Sequence, residues 1–284
     1  MPTLPSCLSR LHPRQFFLAW QQIERDAQAD TLPRHIAQRR ATQVLVLTAV
    51  SLLLIHYLKY ESSFQQATIW LSNMLGMAPY SLWSALMRSG FGELSSQLWW
   101  GLWHVIGYVL LPVLLVRVVW RERLANFGWQ LGQTRAHWLG YVLLASPILL
   151  FVVMVSFRGD FSTHYPFYRQ ASRSWFDLLA WEAIYISQFV FLEFFFRGFL
   201  LNSLRPAFGA NAIAVMCIPY LMIHFPKLWL EATGAIFFGL FLGVLALRSR
   251  SIWGGVAVHV VIAVSMDVAA LVQTRGLPTV WWPL

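Results

Sequence analysis

The sequence predicts an all-α fold, a polytopic transmembrane helix bundle, and three observations carry that prediction. Of the 284 residues, 58% are hydrophobic and only 12% charged, against roughly a quarter charged in a soluble domain. Apolar runs of about twenty residues recur, long enough at 1.5 Å per residue to cross a hydrocarbon core of about 30 Å. Trp99, Trp100, Trp103, Trp120, Trp138, Trp175, Trp253, Trp281 and Trp282 fall near the ends of these runs, where an interfacial aromatic belt sits.

Residues 1–40 form a polar amino-terminal segment carrying Arg10, Arg14, Arg25, Arg34, Arg39 and Arg40. It lacks the apolar h-region and small-residue cleavage site of a signal peptide, so the first apolar run, Ala41–Tyr60, reads as an uncleaved span. Residues 61–96 alternate short apolar and polar patches, the pattern of one or two helices lying at the interface. Six further spans read as Gln97–Trp120, Trp138–Phe157, Trp175–Leu204, Asn211–Phe225, Glu231–Leu247 and Ile252–Val272, about seven in all. The organisation is therefore an Arg-rich segment (1–40), accessory transmembrane and interfacial helices (41–174), a helical core rich in buried polar residues (175–273) and a short tail (274–284).

The formal net charge is +9. Its arginines stand singly or in short groups beside apolar runs, as in the cytoplasmic loops of membrane proteins, so anionic lipid rather than nucleic acid is the expected partner. Counting the spans puts the basic turns around Arg117–Arg135, Arg197–Arg205 and Arg248–Arg250 on the side of the amino terminus, which the positive-inside rule makes cytoplasmic. A bacterial inner membrane is the expected location. Cys7 and Cys217 are the only cysteines and have no metal-ligand spacing, so no disulfide framework is expected.

Between Asp177 and Val272 the chain is almost wholly apolar, yet it carries Glu193, Arg197, His224, Glu231, His259 and Asp267. An ionisable side chain at membrane depth costs roughly 2.5–3.5 kcal/mol, so such groups face the bundle interior, pair with one another and mark function. Glu193 and Arg197 are spaced i,i+4 with the acid first, the favoured orientation of a helical ion pair. Taken alone, they read equally well as a structural staple. Glu193 lies about 18 Å of helix from Arg205, His224 about 20 Å from Asn211, and His259 about 14 Å from Arg250, so the acid and both histidines are expected in one layer. That coincidence favours a catalytic site over packing.

Glu231 follows His224 across Pro226, and either folds back toward the site or caps the following helix. Asp267, about 12 Å along the helix from His259, reads as a supporting group, and Glu182, about 16 Å from Glu193, as a solvated acid near the outer interface. Ala235, Gly239 and Gly243 form a small-residue stripe. That stripe, like Gly198 and the Gly254-Gly255 pair, reads as helix packing.

Three short stretches together resemble the CPBP family, the CAAX prenyl endopeptidases and bacteriocin-processing proteins. Leu192-Glu193-Phe194-Phe195-Phe196-Arg197 matches its Glu-Glu-x-x-x-Arg motif, Tyr220-Leu221-Met222-Ile223-His224 its Phe-x-x-x-His motif, and His259 opens its His-x-x-x-Asn motif. The resemblance spans about residues 175–270; Tyr220 stands mildly for Phe, and two further departures matter. Leu192 stands where the family carries the first Glu, usually assigned as the base, and Ala263 stands where it carries Asn.

The resemblance implies an intramembrane glutamic protease without a cofactor, cleaving a membrane-anchored or exported protein. Glu193 then activates water, and His224 and His259 hold the water or stabilise the oxyanion. Arg197 pairs with the acid, and Tyr220, Glu231 and Asp267 support the site. A zinc version uses Glu193, His224 and His259 as three ligands with water as the fourth. Two other classes compete. One is a non-catalytic membrane binding or immunity protein that retains the fold, for which Leu192 and Ala263 speak. The other is a small transporter relaying protons, against which the absence of inverted repeats and paired broken helices speaks.

Overall fold

A computed structural model describes residues 13–29, 32–227 and 229–283; Cys7 and Arg10 lie outside the described residues. The principal helices among the described residues are α1 (Pro13–Gln28), α2 (Arg34–Leu58), α3 (Glu61–Met74), α4 (Ser81–Arg88), α5 (Gly92–Val105), α6 (Trp138–Ser156), α7 (Gly159–His164), α8 (Trp175–Glu193), α9 (Leu201–Phe208), α10 (Ala212–Met222), α11 (Trp229–Ser249) and α12 (Trp253–Gln273). There is no strand among the described residues. The chain is an all-α integral membrane protein.

Among the described residues six stretches are long and apolar enough to span: Arg34–Leu58, Gly92–Val119, Thr134–Ser156, Trp175–Met222, Glu231–Ser249 and Trp253–Gln273. The sequence reading counts seven because it divides the fourth, 48 residues long, at the Arg205–Asn211 turn. Gly209 breaks the helix there with φ +59, after Pro206 in α9. The expected span Asn211–Phe225 is a helix of 11 residues, Ala212–Met222, about 16 Å long and half a bilayer. Pro219 lies inside it, and His224 sits beyond its end in a turn that closes with Pro226. The 61–96 stretch forms the two short helices α3 and α4.

The described residues group into two compact units. The first takes residues up to Thr48, Val116–Tyr141 and Glu193–Gly255. In it α1 is amphipathic, burying Ala19, Ile23 and Ala27 at every fourth position. The Glu24 carboxylate accepts the Ala210 N–H at 2.7 Å and fills the space beside Gly209 where a Cβ would sit. The small-residue stripe of α11 lets α10 approach, with Gly239 against Cys217 and Tyr220 and Gly243 against Ile213. Arg40 pairs with Glu122 and lies 4.8 Å over the Trp120 ring.

The second unit takes Ala49–Leu115, Val142–Leu192 and the chain from Val256. Its core gathers Leu94, Tyr168, Leu178, Trp181, Tyr185 and Leu271. Gly107 admits Ile55, and Gly101 admits Ile184. Helix α8 leaves its first N–H groups without helical acceptors, as any helix does. The tail supplies them, with Val280 and Trp281 carbonyls accepting from Trp175 (2.9 Å) and Phe176 (3.0 Å).

Candidate functional site

After Glu193 the helix widens into a π-helical turn, Phe194–Leu200, before α9 resumes. Every residue from Glu193 to Leu201 is buried. A π turn displaces the usual i→i−4 ladder and is characteristic of functional positions. Asn202 shows the consequence, since its amide donates to the Arg197 carbonyl at 3.0 Å and the Gly198 carbonyl at 2.7 Å. Gly198 is required here because a Cβ would collide with the Phe127 carbonyl oxygen, at 2.5 Å.

Glu193 and Arg197 are both fully buried, and Arg197 Nη1 lies 3.1 Å from Glu193 Oε1. The guanidinium is engaged chiefly through its face, its carbon 3.8 Å from the centroid of the Tyr220 ring. Such a cation–π contact strengthens as water is excluded. Phe196 meets the same ring edge-on at 5.4 Å. The Glu193 carboxylate rests against Gly255, where a Cβ would occupy the position of Oε2.

Tyr220 also carries the histidine turn. His224 Nδ1 lies 2.7 Å from the Tyr220 carbonyl, and the two rings are 4.7 Å apart. A carbonyl only accepts, so Nδ1 bears the proton in this contact. The structure thus joins four of the sequence-predicted residues, Glu193, Arg197, Tyr220 and His224, in one continuous array.

The remaining candidates have other surroundings. Glu231 lies in the first turn of α11 and pairs with Lys227 at 3.4 Å, the helix-terminus alternative. Asp267 is fully buried and accepts the Trp181 indole N–H at 2.7 Å. His259 stacks on Phe189 at 5.5 Å with the rings 10° from parallel. Glu182 is not the solvated acid expected: its carboxylate oxygens are buried and meet no hydrogen-bond donor among the described residues. Neighbouring side chains rather than water cover its carboxylate.

Ala263 is buried in the apolar core with Tyr168 and Trp181, so packing fills that position. Among the described residues no three His, Cys, Asp or Glu side chains group as a metal centre requires. Gly255, which sequence reasoning treated only as packing, lies against the Glu193 carboxylate. The Gly254-Gly255 pair was its signal, and the two serve different neighbours, Gly254 admitting the Tyr141 ring and Gly255 the Glu193 carboxylate.

The fold is a membrane helix bundle with a buried acid, a guanidinium and a histidine joined through one tyrosine. Residues 173–265 match the family model described as Type II CAAX prenyl endopeptidase Rce1-like, so the CPBP resemblance carried by the three motifs holds for that segment, about a third of the chain. The matched family is one of membrane proteases. No curated protein and no solved structure matches the chain.

Proposed function

We propose that this protein is an intramembrane endopeptidase that hydrolyses a peptide bond in a membrane-anchored or exported protein, with Glu193 as the water-activating base. The observation that carries the reading is the burial of the Glu193 carboxylate between Arg197 and the Gly255 backbone, inside the segment that matches a protease family. A fully buried acid needs a countercharge to be held as an ion, and Arg197 supplies it.

Glu193 takes a proton from water, the water oxygen adds to the scissile carbonyl carbon, and an oxyanion forms. As the tetrahedral intermediate collapses, the C–N bond breaks and Glu193 returns the proton to the leaving amine. His224, whose Nδ1 is held by the Tyr220 carbonyl, is assigned to hold the water or stabilise the oxyanion. The family resemblance assigns His259 to the water or the oxyanion. The proposed site needs no metal.

The test uses the full chain in nanodiscs with a prenylated carboxy-terminal CAAX peptide, beside a comparison of membrane-protein termini in cells carrying wild type or Glu193→Gln. Turnover lost in Glu193→Gln, His224→Ala and His259→Ala, and insensitive to chelator, supports the reading. Unchanged termini in the Glu193→Gln cells would exclude the base. Loss of turnover to chelator, with about one metal per chain, favours the zinc version.

The burial of Ala263 in an apolar cluster, together with Leu192 at the usual base position, favours a second reading. In it the chain is a non-catalytic membrane binding or immunity protein, and its biological phenotype survives all three substitutions.

A further inference from the structure

In the π turn after Glu193 the Leu201 N–H donates to the Gly198 carbonyl and, five residues back, to the Phe196 carbonyl. In an α-helix its partner would be the carbonyl of Arg197, four residues back. Asn202 meets that change. An amide NH2 has two hydrogens, and that of Asn202 donates to the Arg197 carbonyl at 3.0 Å and to the Gly198 carbonyl at 2.7 Å. A side chain bonded in this way to the preceding turn competes with the regular helical ladder. Pro206, four residues on in α9, weakens the α-helical alternative further, because it has no N–H for the Asn202 carbonyl.

The register decides which way the buried groups face. Hydrogen bonds that close over five residues set positions five apart nearly above one another, whereas the 3.6-residue repeat of an α-helix sets them about 140° apart. Glu193 and Gly198 are such a pair, and both meet the segment that opens α12. The Glu193 carboxylate lies against Gly255, while Gly198 is closed in by Ile252 and the Phe127 carbonyl. Ile252 is itself fixed, its N–H donating to the Gly128 carbonyl at 3.0 Å. In an α-helical register one of these two contacts turns away. We propose that Asn202 is a positioning residue for the base, its side-chain amide holding the register that turns Glu193 toward Gly255 and Arg197 toward Tyr220. The role in turnover rests on the reading of Glu193 as base, whereas the hold on the Glu193–Arg197 pair stands without it.

Two measurements on the full chain test these roles separately. The first is a double-mutant cycle read by thermal melting in detergent. N202L keeps the approximate size of the side chain and removes both donors. In that background the fall in melting temperature caused by E193A is expected to shrink to about half, because the pair it breaks is already displaced. Equal falls in the two backgrounds overturn the proposal. Should N202L not melt cooperatively, the cycle is run with N202S, whose hydroxyl offers one donor in place of two, and equal falls overturn the proposal there too. The second measurement is turnover of the prenylated peptide in nanodiscs. Where wild type cleaves and E193Q does not, N202L is expected to lower kcat about 100-fold with KM unchanged. A wild-type kcat in N202L overturns the proposal. Absence of cleavage by the wild type removes the proteolytic reading, and the melting cycle then decides the role of Asn202 alone.

Discussion

The two units each contain an arginine and an acid four residues apart, and they use them in opposite ways. In the second unit Arg173 is engaged through its edge. Nε and Nη2 donate to the two Asp177 oxygens at 2.8 and 2.7 Å, and Nη1 donates to the Gly90 carbonyl at 2.7 Å. Tyr168 and Ser174 hydroxyls each add a 2.7 Å bond to Asp177. Burial and the bond to Asp177 push the Tyr168 phenol well above its usual range, so it remains a donor. In the first unit Arg197 is engaged through its face on Tyr220 and by one ionic contact to Glu193. A saturated carboxylate is a structural fixture.

Substitutions at the acids sharpen that contrast most. Glu193→Ala leaves the buried Arg197 without its countercharge and is expected to lower stability by about 3–5 kcal/mol, read as thermal melting in detergent. Glu193→Gln preserves the shape, and turnover should vanish while most of the fold is retained. An Asp177→Asn variant, by contrast, should lose stability without a specific loss of turnover, since Asp177 only joins elements of its own unit. Equal effects on turnover from Asp177→Asn and Glu193→Gln would erase the distinction.

Gly255→Ala comes next. The added methyl displaces the Glu193 carboxylate, and a misplacement of about 1 Å is expected to cost on the order of 100-fold in turnover. A melting curve close to wild type would show that the loss is positional. Trp181→Phe removes the indole donor to Asp267 and should cost about 1–3 kcal/mol of stability with KM unchanged. Smallest of all, Glu231→Gln breaks only the partly exposed pair with Lys227, worth about 0.3–0.5 kcal/mol, and should leave turnover intact. A large loss of activity there would return Glu231 to the site.

The sequence by itself determined the helical membrane class, the interfacial helices and the Glu193–Arg197 pair. Each follows from composition or from residues close along the chain, and the cost of isolated charge in hydrocarbon leaves few alternatives. Only the tertiary structure decided the rest. The π turn after Glu193, the half-length α10 that ends at the His224 turn, and the Tyr220 ring beneath Arg197 depend on contacts among Phe127, Asn202, Gly239 and Gly255. The same holds for Glu182, whose inward placement depends on packing rather than on distance from a span end. Helical period gives direction and depth along one rod, but which neighbour fills the space opposite a glycine is set by packing between rods.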